Sequence, residues 1–249
     1  MAIVIKTAKE VEKMRHAGGI VREVLSAVRA MVKPGVTTLD LENVAEKLIE
    51  KRGAKPAFKG YHGFPCVLCT SLNDQVVHGI PSSKTVLREG DILSVDCGAV
   101  IDGYYGDSAI TIPVGKVAAE TQRLLDVTRA SLEKAIDTVR PGAMLGDVGA
   151  AVQEMVEAEG FSVVKEFVGH GIGTRMHEDP QIPNFGQRGK GVRLREGMVL
   201  AIEPMVNAGG DAVRVLKDGW TAVTEDGSLS AHFEHTVAVT KDGAAILTL

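Results

Sequence analysis

The sequence predicts an α+β fold: a curved antiparallel sheet flanked by helices and built from two pseudo-twofold related halves. Three observations carry that expectation. First, Leu87-Arg88-Glu89-Gly90 recurs as Leu194-Arg195-Glu196-Gly197, an offset of 107 residues. Second, the same offset superposes Val32-Lys33-Pro34-Gly35 on Val139-Arg140-Pro141-Gly142, Asp40 on Asp147, Glu50 on Glu157, Gly53 on Gly160 and Asp96 on Glu203. Third, each copy holds two helical patterns followed by short β-rich runs, an order that sets helices on one side of an antiparallel sheet. The halves fall at roughly residues 1–112 and 113–249. A length of 249 residues suits a single domain, 1–249, when two halves share one core.

Each element has a local reason. Thr7-Ala8-Lys9-Glu10 is a capping-box pattern that starts a helix running to about Val32, where Pro34-Gly35 breaks it. A second helix is capped by Thr38 or Asp40, carries Leu41, Val44, Ala45, Leu48 and Ile49 on one face, and stops at Gly53. Their counterparts run from about Ala119 to Val139 and from Asp147 to Glu159, with Leu145, Val148, Val152, Met155 and Val156 on the buried face. Ile92 to Asp96, Val163 to Val168, Val199 to Glu203 and Phe233 to Thr240 read as strands. Asn207 to Ser230 contains Gly209-Gly210, Asp218-Gly219 and Asp226-Gly227, turn signals of an enlarged hairpin that carries Trp220 and can close over a substrate.

Composition excludes several classes. Apolar residues make up 45% and charged residues 24%, ordinary for a soluble protein, and a formal net charge of −4 gives no ground for nucleic-acid binding through the bulk surface. Three cysteines make no disulfide framework and point to a reducing compartment, so the cytoplasm is expected. No apolar run is long enough for a membrane span, and Ala2-Ile3-Val4-Ile5 is too short for a signal-peptide core.

The duplicated acids carry the chemistry. Asp96 and Glu203 end apolar strands, where a buried carboxylate without a partner is costly. If Asp102-Gly103 is a two-residue hairpin turn, Ile101 faces Tyr104, Asp96 faces Ala109, and Asp107 lies diagonal to Asp96 on the same face, roughly 7–8 Å away at the backbone. A bulge at Gly98 or Gly106 would undo that register. His170 sits in Gly169-His170-Gly171-Ile172-Gly173, whose spacing is not that of a dinucleotide loop. His170 with Asp96, Asp107, Glu203 and Glu234 makes five ligands, too many for one tetrahedral ion and suited to two divalent ions. Such a pair can polarise a carbonyl and hold a hydroxide near neutral pH.

These residues in this order, in the contexts VDCG, GYYGDSAIT, GHGIG, AIEPM and FEHT, resemble the metal site of the type I methionine aminopeptidases, and the resemblance covers nearly the whole chain, including His78 in VVHGIP and His177 in RMHEDP. It implies the pita-bread fold and two divalent ions, Co, Mn, Fe or Zn. It implies that Asp96 holds one ion, His170 and Glu203 the other, and that Asp107 and Glu234 bridge them. Glu203 would also be the base for the attacking water in removal of an N-terminal methionine ahead of a small second residue. His177 would contact the carbonyl or oxyanion and His78 the scissile nitrogen. The methionine pocket would be Tyr61, Phe64, Cys69 and Trp220, with His62 at the entrance. Phe58 and Met176 adjoin it and depart from the commonest bacterial pattern, where a cysteine and a phenylalanine are frequent. The implied partners are a peptide or nascent-chain N-terminus and, transiently, the ribosome; a monomer is expected.

Plainer readings apply elsewhere. Asp102, Asp218 and Asp226 read as turn formers, His16 and His232 as solvated or structural groups, and His235 as a satisfied core group on the far side of its strand. Cys66 and Cys69 have C-x-x-C spacing but lack a second pair or a following helix start. An X-Pro aminopeptidase or prolidase would use the same ligand set behind an additional N-terminal domain. A type II enzyme would need an insertion between His170 and Glu203, and a metal-free binding protein on this fold would have lost ligands.

Overall fold

The computed structural model describes residues 2–249. The first half runs α1 (Ala8–Met31), α2 (Thr38–Lys51), β1 (Lys55–Pro56), β2 (Leu68–Leu72), β3 (Gln75–Val77), β4 (Ile92–Ile101) and β5 (Tyr104–Pro113). The second runs α3 (Ala119–Asp137), α4 (Leu145–Ala158), β6 (Ser162–Val163), β7 (Gly169–Gly171), β8 (Glu178–Ile182), β9 (Val199–Ile202), β10 (Met205–Asn207), β11 (Val213–Val215), β12 (Ala222–Thr224), β13 (Ser230–His232), β14 (His235–Thr240) and β15 (Gly243–Ile246). The architecture is the expected α+β one. Strands β1, β4, β2 and β5 form one sheet and β15-β14-β9-β7-β8 its larger counterpart, while β13-β10-β6 and β11-β12-β3 are smaller sheets.

The 107-residue repeat is visible in the backbone. Gly35 N–H donates to the Leu87 carbonyl at 2.9 Å, and Gly142 N–H to the Leu194 carbonyl at 2.9 Å. Bridges join Thr37 to Val86 and Met144 to Arg193, again one offset apart. Glycines at matching positions take matching left-handed conformations, φ 90° at Gly35 and 91° at Gly142, a region closed to most side chains.

The helix starts differ from the sequence reading in detail. Thr7 and Glu10 form the expected box. For α2 the cap is Thr37 rather than Thr38 or Asp40, and Asp40 completes the box as its third helical residue. Helix α4 starts at Leu145, two residues before Asp147, because the Asp147 carboxylate reaches back to the Met144 N–H at 2.9 Å. The expected strand from Val163 to Val168 is cut short: only Ser162–Val163 pair with the three-residue β10, after which Lys165 and Glu166 turn out to solvent. The run from Phe233 to Thr240 is also interrupted, because Glu234 leaves that ladder to exchange hydrogen bonds with Ala109.

Each half has its own apolar core beneath its helices. Leu41, Ile49, Leu68, Leu93 and Val95 fill the first, and Leu124, Val152, Val156, Leu200 and Ile202 the second. Full burial of each such side chain contributes about 1.5–3 kcal/mol. Between them the halves are joined edge to edge. Glu234 N–H donates to the Ala109 carbonyl at 2.9 Å, Asp107 N–H to Thr236 Oγ1 at 3.1 Å, and Thr236 Oγ1 to the Asp107 carbonyl at 2.8 Å. That seam brings acids from both halves face to face.

Candidate metal centre

The register of the β4–β5 hairpin is the one the turn chemistry predicts. Asp102, at φ 51°, and Gly103 form the turn; Ile101 faces Tyr104, Asp96 faces Ala109, and Asp107 faces Gly98 without a bulge. Asp96 and Asp107 are therefore diagonal neighbours on one face of the sheet. Glu203 follows β9 and Glu234 precedes β14, the strand paired with β9 from His235 opposite Ile202 onward. His170 stands on β7, opposite Ala201. Four strands and the seam thus deliver the five side chains expected to bind metal to one place.

Atoms converge there. His170 Nε2 lies 3.7 Å from Asp107 Oδ2 and 3.6 Å from Glu203 Oε1. Asp107, His170 and Glu234 each offer a ligand atom, and these atoms lie within 4.8 Å of one another. His170 Nδ1 is 2.9 Å from the Gly171 carbonyl; with its proton on Nδ1 donated there, Nε2 presents a lone pair to the centre. Glycine at 171 is required, since a Cβ would strike the Asp179 backbone.

The electrostatics are those of a cation trap. Burial, with His232 opposing and Glu203 reinforcing it, pushes the Asp96 carboxyl up to about 7, and burial pushes Glu203 up to about 8. Burial and then the neighbouring acids hold Asp107 and Glu234 well above the carboxylate range. Burial brings His170 down to about 3, so it is neutral. Asp96 Oδ1, Asp107 Oδ1 and Glu234 Oε1 are buried without a hydrogen-bond partner. Buried carboxylates of this kind call for cations. An oxygen-rich set with one imidazole suits hard to borderline divalent ions, so the residues fit a metal.

The centre floors a cavity of about 440 Å³. Phe58, Tyr61, Phe64, Cys69, Met176 and Trp220 line its apolar end, and His62, His78 and His177 its polar wall. Every side chain assigned to the site from the sequence lines this one cavity. Phe64 and Trp220 pack edge to face at 5.1 Å between ring centroids. The backbone at Trp220 is held by Asp218, whose carboxylate accepts the backbone N–H of Trp220 at 2.9 Å and that of Thr221 at 2.9 Å, a turn-forming role as expected. The enlarged hairpin pairs β12 with β3, which brings Trp220 within 6.4 Å of the His78 ring. His78 itself has φ 61°, a left-handed conformation that costs a non-glycine residue on the order of 1 kcal/mol or more and turns its ring inward. His177 Nδ1 lies 2.7 Å from the Tyr61 hydroxyl, and the ring sits 4.2 Å from that of His170.

Of the two readings given for His232, solvated or structural, the structure excludes the first: the side chain is buried, and its Nε2 faces Glu203 Oε2 at 3.5 Å with no hydrogen-bond partner. Its position two residues before Glu234 was the available signal, since alternate residues of an extended segment share a face. His235 is as expected, on the opposite side, with Nδ1 2.8 Å from Thr248 Oγ1. Cys69 is buried in the cavity wall with its thiol pushed well up by burial, and Cys66 is pushed up to about 11 by the same cause, so neither has the thiolate character of a redox motif.

Comparison with known proteins agrees with this geometry. The pattern of metallopeptidase family M24 matches residues 12–241. The chain belongs to metallopeptidase family M24. Within that family it is 51% identical to the methionine aminopeptidase of Clostridium acetobutylicum over 247 residues, 99% of each chain. It is 52% identical to methionine aminopeptidase 1 of Bacillus subtilis, again over 99% of each. The crystal structure of the Thermotoga maritima methionine aminopeptidase superposes with a TM-score of 0.98 at 53% identity, covering 99% of both chains. The prolidase of Pyrococcus horikoshii, at 23% identity and a TM-score of 0.79, shares the fold. As an M24 member the chain is a metal-dependent peptidase, and among its described residues no helix is long and apolar enough to cross a membrane.

Proposed function

We propose that this chain is an aminopeptidase that removes the N-terminal methionine from peptides and nascent chains when the second residue is small. The observation that carries this reading is the junction of the carboxylate cluster with an apolar end of one cavity. A methionine side chain fits surfaces of aromatic rings and sulfur, here Phe64, Trp220, Met176 and Cys69.

The residues divide by position. Asp96, Asp107, His170, Glu203 and Glu234 would hold two divalent ions. When bound, such ions supply Lewis acidity and make a water nucleophilic near neutral pH. Glu203 takes the proton from the attacking water and later returns it to the leaving amine. His177, at the rim and oriented by Tyr61, donates to the oxygen on which charge develops. His78, brought down to about 4 by burial and the neighbouring His232 and His177, is neutral and contacts the scissile nitrogen. His62, exposed at the mouth, meets the outgoing chain. Residues 1–249 act in this reading as one catalytic domain. Work on emerging chain termini fits a monomer with transient ribosome contact.

The test is methionine release from Met-Ala-Ser, Met-Leu-Ser and Ala-Pro-Ser by protein supplied with Mn or Co. Metal-dependent cleavage of Met-Ala-Ser is expected. Cleavage of Ala-Pro-Ser in its place would assign the chain to X-Pro peptidases instead.

A further inference from the structure

Ahead of α1 the chain runs beneath the tip of the β7–β8 hairpin, and Lys6 turns inward there. Its backbone N–H donates to the Gly197 carbonyl at 2.7 Å. Its ammonium donates to Glu178 Oε2 at 2.7 Å, with the two side chains only 3% and 1% exposed, and to the Val4 carbonyl at 3.3 Å. The second Glu178 oxygen accepts the N–H groups of Thr174 and Arg175 at 3.0 and 3.2 Å. One carboxylate therefore ties the N-terminal segment to the turn that carries Met176 and His177. The turn is moulded around this pair, since a Cβ at Gly173 would strike Lys6 Cε and the Glu178 carboxylate. The Gly173 carbonyl in turn accepts the Tyr105 N–H at 2.9 Å, two residues from Asp107.

Other lysine and arginine pairs, such as Arg52–Glu23 and Arg188–Glu154, lie on the surface, where they contribute little. A buried pair is expensive to desolvate, and removing one partner strands the other. Here the expense falls under the turn that presents His177. We infer that Lys6 is a positioning residue for His177: through Glu178 it fixes turn 174–177 so that the imidazole faces the cavity, without itself touching substrate. The inference rests on the role given to His177 above.

A mutant cycle tests it. Lys6→Met, His177→Ala and the double variant are assayed on Met-Ala-Ser as metal-loaded proteins, with thermal midpoint and metal content measured in parallel. Lys6→Met is expected to lower kcat roughly 10- to 100-fold, the effect of a small misplacement of a catalytic group, with metal content unchanged. In the His177→Ala background Lys6→Met should cost less than about twofold, since groups that act as a unit are not additive. Lys6→Met with Glu178→Gln removes both charges while keeping the acceptor for Thr174 and Arg175, and should regain kcat over Lys6→Met alone; Lys6→Gln, with the same loss expected, takes the place of Lys6→Met in the cycle if that variant folds poorly. Equal losses in both backgrounds, or no loss on removing Lys6, would overturn the role of Lys6. Wild-type kcat in His177→Ala alone would instead overturn the role of His177, and the inference with it.

Discussion

At the scale of the residue, Glu203 separates the demands of stability from those of chemistry. It shares its site with three other acids and with His170 and His232. Replacing it with Gln keeps the shape and removes one of four crowded carboxyl groups. Glu203→Gln is expected to lower kcat for Met-Ala-Ser by roughly 10²–10⁴-fold, the usual worth of a general base, while raising the thermal midpoint of the metal-free protein at pH 8. An unchanged kcat would remove Glu203 from the role of base. Trp220 belongs to the other end of the cavity, so Trp220→Ala should act through KM for methionyl peptides more than through kcat, as steady-state kinetics would resolve. Asp96 and Glu203 were legible because the repeat superposes them and because a carboxylate ending an apolar strand demands a partner, Asp107 because the Asp102-Gly103 turn fixes its register, and His170 and Glu234 through the resemblance. His232 was not, because a lone histidine carries no such demand until its neighbours across the seam are known.

The scale of the element exposes what duplication kept and what it let drift. Thr37 caps α2 by accepting the Asp40 N–H while Asp40 bonds back at 2.8 Å. One offset later Asp147 still bonds back to the Met144 N–H at 2.9 Å, but methionine has replaced the capping hydroxyl. Met144→Thr restores the box and is expected to stabilise the protein by about 1 kcal/mol, a rise of roughly 2 °C or more in thermal midpoint. Thr37→Ala should shift it down by a similar amount, and thermal denaturation of both variants gives the comparison. No gain from Met144→Thr would mean that the Met144 side chain holds the 144–193 bridge in some other way. The helices were legible because caps and apolar periodicity are local. The segment 164–168 was not, because a valine-rich run forms strand only where a partner reaches it, and β10 ends after three residues.

The whole molecule is two half-sheets whose seam concentrates negative charge at its midpoint, and that arrangement sets a pH dependence. The carboxyls of Asp96 and Glu203 sit at about 7 and about 8, above their unfolded values, so the metal-free native state binds more protons than the unfolded chain. Stability must then fall as pH rises through that range. The buried histidines, His78 at about 4 and His170 at about 3, act in the opposite sense, but only as pH drops below their unfolded value near 6.5. Between pH 7 and 8.5 the metal-free protein should therefore lose stability, with Asp107 and Glu234, also held well above the carboxylate range, adding to the loss. Bound ions should flatten that slope, which thermal melts with and without Mn would register; a metal-free protein that gains stability across the interval would contradict the electrostatic picture. The most direct measurement is methionine release from Met-Ala-Ser by chelator-stripped protein, followed as Mn is added and bound metal is counted. Release should be absent without metal and rise as the centre fills, and Glu234→Gln should fail to recover it. Full release by metal-free protein would contradict the assignment of the buried acids to a metal centre.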